Sequence, residues 1–80
     1  LPDKSDVIKG NRLKTNLRKQ RFLNGELTQQ QTADLAGVSR QTIAAIERGD
    51  YSPSVKLALI LAKKLGSTVD GLFELEESDL

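Results

Sequence analysis

The sequence predicts an all-α fold: five short helices within 80 residues, with room for a short β-ribbon between the two ends. Three observations carry this. A hydroxyl residue, a brief apolar-periodic run and a glycine recur in order at Thr28–Gly37, Ser39–Gly49 and Ser54–Gly66, the start and stop signals of short helices. The connections between these runs are tight, with no internal repeat and no low-complexity linker. There are no cysteines, so no disulfide or thiolate metal site staples a chain near the lower size limit for a single core. Helices this short are unstable alone, and their apolar faces must pack together.

Taken in order, residues 1–10, "LPDKSDVIKG", read as a polar tail or, through Val7 and Ile8, a short strand. The main domain is expected over residues 11–73. From Asn11 the pattern turns helical: Leu13 and Leu17 lie four apart among basic residues, and Asn24-Gly25 supplies a left-handed stop near Leu23. Thr28 caps the second helix, with Gln31 completing a capping box, and Gly37 ends it. Ser39 caps a third helix running to Arg48 and stopped by Gly49. Pro53 precedes the cap Ser54, and a fourth helix runs from Val55 to Leu65. Ser67 or Thr68 starts a last short helix through Phe73, weakened by Gly71 inside it. Residues 74–80 form an acidic tail, although "LFELE" also suits a brief strand. The expected core is Leu13, Leu17, Leu27, Ala33, Val38, Ile43, Ile46, Leu57, Leu61, Leu65, Leu72 and Phe73.

Composition excludes several kinds of function. With no histidine and no cysteine, the usual general base, the commonest metal ligands and every Ser-His or Cys-His pair are missing. No carboxylate spacing suggests an acid/base couple, and Gly37 opens no phosphate-binding GxxxxGK loop. An enzyme is not expected, and neither a cofactor, a metal nor a small-molecule effector site is evident. The longest apolar run, "LALILA" over 57–62, is far too short to span a bilayer, and no signal-peptide pattern opens the chain. A cytoplasmic protein without a membrane partner is the expectation. Net charge is only +1, but residues 1–48 hold nine Lys/Arg against five Asp/Glu, while residues 49–80 hold three against six. One end suits a polyanion and the other does not.

The second and third helices carry the functional argument. Only Gly37-Val38-Ser39 separates them, too little for a long antiparallel hairpin, so the two must meet at a steep angle. Ala33 allows close approach, Gly37 supplies a left-handed turn, and Val38, Ile43 and Ile46 anchor the third helix. Its other face carries Arg40, Gln41, Ala44, Ala45 and Arg48, long hydrogen-bonding side chains beside very small ones.

Gln29, Ala33, Gly37, Ile43 and Ile46, within "LTQQQTADLAGVSRQTIAAIERGDYSPS" and with the closing "LGSTVDGLF", resemble the helix-turn-helix of the Cro/CI, or XRE, repressor family. The resemblance spans Arg12 to Phe73 and is strongest to small stand-alone regulators such as the cytolysin repressor. It implies a lambda-repressor-like fold with the third helix in the major groove of double-stranded DNA. Arg40, Gln41, Ala44 and Ala45 then face bases: the Arg40 fork suits guanine, the Gln41 amide suits adenine, and the alanine methyls suit thymine methyls. Gln29 matches the family's phosphate-clamping glutamine. Thr42 either caps its helix or reaches a phosphate. Arg48, Tyr51 and Ser52 flank the groove-facing end and are phosphate candidates, with packing on Pro53 the other reading of Tyr51. Glu47 would repel phosphate, and relatives pair this acid with a first-helix arginine; spacing favours Arg21, with Arg18 the alternative. The sequence departs from the family at Gln20 and Thr32, where aliphatic residues are usual, and at Leu59 and Ile60, which leave the fourth helix more apolar than one core needs.

The resemblance implies a sequence-specific transcriptional regulator, acting as a repressor and homodimer on a pseudo-palindromic operator, with Val69, Leu72, Phe73 and Leu75 as the dimer contact. The alternative is an antitoxin or anti-regulator whose main partner is a protein, motivated by the surplus apolar residues Leu59, Ile60 and Leu80.

Overall fold

The computed structural model of the chain describes residues 13–77 and 80, and the tail or strand expected over residues 1–10 lies outside them. The element order is β1 (Lys14–Thr15), α1 (Leu17–Leu23), α2 (Gln29–Ala36), α3 (Arg40–Arg48), α4 (Val55–Lys64), α5 (Val69–Leu72) and β2 (Phe73–Glu74).

The first helix starts later than its apolar spacing suggested. Lys14 and Thr15 are extended and pair antiparallel with β2, Lys14 opposite Glu74 and Thr15 opposite Phe73. The Asn16 backbone N–H donates to the Leu72 carbonyl at 2.8 Å, and its side-chain amide donates to the Gly71 carbonyl at 3.2 Å. These long-range bonds satisfy backbone groups that an added helical turn would have satisfied locally. Among the described residues the β-ribbon therefore joins the two ends of the bundle through Lys14–Thr15 and Phe73–Glu74.

The middle three helices are set by their caps. Thr28 Oγ1 accepts from the Gln31 N–H at 3.0 Å while Gln31 Oε1 accepts from the Thr28 N–H at 2.8 Å, a complete capping box. Ser39 and Ser54 cap α3 and α4, accepting from Thr42 and Leu57 at 3.2 and 3.1 Å. Gly37 sits at φ 72°, and the Val38 N–H then turns back to the Ala33 carbonyl at 3.0 Å, closing α2 in a Schellman-type stop. A Cβ at Gly37 would meet nothing within 4 Å, so the backbone conformation alone selects glycine. At Gly71 a Cβ would lie 2.7 Å from Ser67 Oγ, so a larger residue inside α5 would have to displace that hydroxyl.

Leu17, Ala33, Ile43, Ile46, Leu57, Leu61, Leu65, Leu72 and Phe73 form one buried cluster, joined by Ala58 and Ala62 on the inner face of α4. Leu13, Leu27 and Val38, expected in the core, pack on its margin and remain partly exposed. α2 packs chiefly on α3, and this pairing presents the start of both helices side by side.

Candidate nucleic-acid interface

α2 begins at Gln29 and α3 at Arg40, and the turn through Gly37 brings these two first residues within hydrogen-bonding reach. Arg40 Nη1 donates to Gln29 Oε1 at 3.4 Å. Gln29 Nε2 donates in turn to Glu47 Oε1 at 3.2 Å. Glu47, on the inner side of α3, is held by Arg21 of α1: Arg21 Nε donates to Oε2 at 2.5 Å and Nη2 to Oε1 at 3.0 Å. A third donor, Arg21 Nη1, meets the Leu27 carbonyl at 2.7 Å. Both side chains of the ion pair are only 10% exposed, so the charges are desolvated together, and each of the three guanidinium nitrogens of Arg21 makes one hydrogen bond. Arg18, the alternative partner for Glu47, instead stays exposed with its guanidinium 6.0 Å from the Phe22 ring centroid.

The result is a chain of polar contacts running from the interior to the surface: Arg21, Glu47, Gln29, Arg40. Its outer end is free to act. The Gln29 amide has two N–H groups and spends one on Glu47. Arg40 is exposed and has donors left after its contact with Gln29. Gln41 is exposed beside it, and Ala44 and Ala45, half-buried, add no bulk along the helix. Ile43 and Ile46, 0% and 1% exposed, fix α3 from below.

Thr42 is committed to the capping corner: its hydroxyl lies 3.0 Å from Ser39 Oγ and its N–H donates to the same oxygen. Arg48 Nε donates to Asp50 Oδ2 at 3.0 Å, an exposed pair that the sequence reading missed although the spacing Arg48-Gly-Asp50 signals it. Tyr51 is 45% exposed, and Ser52 is exposed beside it.

The four residues expected at the dimer contact differ in exposure. Leu72 is 0% exposed and Phe73 9%, and both complete the chain's own core. Val69 also packs on the core margin, while Leu75 is half-exposed. On α4, Leu59 is exposed as expected, Ile60 is half-buried, and Val55, which the sequence reading passed over, is the most exposed apolar residue of that helix. Its signal was its spacing, four residues before Leu59.

Among the described residues no helix is long and apolar enough to cross a membrane, and no group of His, Cys, Asp or Glu could hold a metal ion.

A helix-turn-helix family model matches residues 17–72. An HTH-type transcriptional regulator of Methanocaldococcus jannaschii is 45% identical over 67 residues, covering 84% of this chain and 100% of that protein. Another, from Methanothermobacter thermautotrophicus, is 44% identical over 66 residues, 81% of this chain and 94% of its own length. Among solved structures, the restriction-modification controller protein C.AhdI from Aeromonas hydrophila is similar with a TM-score of 0.64 and 32% identity, covering 70% of this chain and 83% of that one. A hypothetical transcription factor from Neisseria, at TM-score 0.65 and 24% identity, covers 99% of this chain and 86% of its own and shares the fold.

Proposed function

Because the chain belongs to the Cro/CI, or XRE, family of helix-turn-helix transcriptional regulators, we propose that it represses transcription as a homodimer on a pseudo-palindromic operator, with the start of α3 in the major groove. DNA-binding regulation is the work of this family, and it involves no catalysis. The observation that supports the finer reading most is the pair of helix starts, Gln29 and Arg40, tied to one another and to a buried ion pair.

In this reading Arg40 and Gln41 meet guanine and adenine edges, and Ala44 and Ala45 let the groove wall come close. Gln29 gives its remaining amide hydrogen to a phosphate beside the positive end of α2. Arg48, Tyr51 and Ser52 meet the backbone on the far side, Arg48 exchanging its contact with Asp50 for a phosphate. Thr42 acts mainly through the cap it forms with Ser39. A domain this small makes few base contacts, and two-fold doubling supplies the remaining specificity. Blocking polymerase at the operator is the simplest route to repression, and DNA as partner sets the compartment as the one that holds the DNA.

Selection of bound duplexes from random DNA tests this. The expected outcome is an inverted repeat with half-sites about one helical turn, ~34 Å, apart, and a log K that falls steeply with log salt. No enriched sequence, together with salt-independent binding, would overturn the reading.

A further inference from the structure

We infer that the outer face of α4 seats the acidic C-terminal segment of a second copy of this chain. The inference rests on the homodimer proposed above and supplies its missing surface, since Leu72 and Phe73 are spent on the core.

α4 is apolar on both sides. Leu57, Ala58, Leu61 and Ala62 face the core. Val55 and Leu59, four residues apart, are nevertheless 77% and 56% exposed, with Ile60 beside them in the same open groove. Lysines bracket this patch: Lys56 next to its first residue, and Lys63 and Lys64 one turn beyond its last. All three are exposed, and none forms an ion pair among the described residues. A contiguous apolar patch with a charged rim marks an interaction surface, and a rim of one sign selects its partner's charge.

The chain carries the complement. Residues 74–80, "ELEESDL", contain four carboxylates and no basic residue. Glu74, Leu75 and Glu77 are exposed, and Leu75, at 51%, is the apolar residue between acids that an apolar patch between lysines calls for. Within one copy β2 pairs with β1, and both Leu75 and the α4 residues Val55 and Leu59 stay exposed. Exchange between two copies satisfies both at once, each copy giving one tail and receiving one, as a closed two-fold contact requires. An acidic segment is repelled by phosphate, so docking it on protein also keeps it clear of the operator.

A charge swap tests this without DNA. One variant carries Lys56→Glu with Lys63→Glu, and the other Glu74→Lys with Glu77→Lys. Circular dichroism checks that each remains helical, and analytical ultracentrifugation reads the oligomeric state. The expected result is a dimeric parent chain and two variants whose dimer dissociation constants each rise at least about tenfold. An equimolar mixture of the two restores the dimer, because each groove then faces a tail of opposite charge. Variants as dimeric as the parent, or a mixture that stays monomeric, would overturn the inference, as would a parent chain that is monomeric throughout. In the first two outcomes a symmetric site recovered from random DNA would leave the operator reading intact.

Discussion

Arg40 donates to Gln29 across the turn between α2 and α3, so the first residue of one helix braces the first residue of the next. In the proposed complex one partner faces a base and the other a phosphate. Gln29→Ala should therefore weaken operator binding by about 1–3 kcal/mol and also blur discrimination at the base Arg40 reads. Fluorescence anisotropy on matched and single-base-changed duplexes separates the effects. Weaker binding with discrimination intact would mean that Gln29 only holds phosphate.

Arg40→Ala and Gln41→Ala should each cost about 1–3 kcal/mol of specific affinity, relaxing one base position apiece. Both side chains are exposed, so unfolding free energies should stay within about 0.5 kcal/mol of the parent. Repeating the random-DNA selection with each variant shows which position relaxes. An unchanged motif would remove that residue from the base-reading set.

The Arg21–Glu47 pair predicts a different signature. Glu47→Leu strands a guanidinium in a site that leaves Arg21 8% exposed, and should cost about 3–5 kcal/mol in urea unfolding. Adding Arg21→Met should recover most of that loss, because the penalty lies in the unpaired charge and not in the missing contact. A double variant no more stable than the single one would contradict this.

Thr32 is 1% exposed, and its hydroxyl has no hydrogen-bond partner among the described residues. Thr32→Val keeps the shape and removes a desolvated polar atom, so it should stabilise by about 1 kcal/mol. For a domain of this size that is a thermal midpoint higher by roughly 4–8 °C. Calorimetry showing a lower midpoint would mean that the hydroxyl is satisfied.

Much of this architecture is legible locally. Thr28, Gln31, Gly37, Ser39, Gly49 and Ser54 act within one helical turn, so sequence spacing alone locates α2, α3 and the start of α4. The start of α1 is not local. Leu13 and Leu17 fit a helix as well as they fit a strand followed by a helix, and the choice is made by Phe73 and Glu74 pairing from the far end. The site divides in the same way. Arg40 and Gln41 are visible as an odd polar tip, but the bonds from Gln29 to Arg40 and Glu47 depend on how two helices cross. That Leu72 and Phe73 are buried in the chain's own core was not legible as such, because apolar character in sequence does not say which surface consumes it.

The pairing of Lys14–Thr15 with Phe73–Glu74 makes the two ends of the fold one mechanical unit. Its bonds close a loop of about sixty residues, the costliest closure in the domain by chain entropy, whereas the contacts of α2 and α3 are near neighbours along the chain. The ribbon should form last and open first, with both ends loosening together. Any pull on the acidic tail is thus transmitted through Asn16 to the first turn of α1, the helix that carries Arg21.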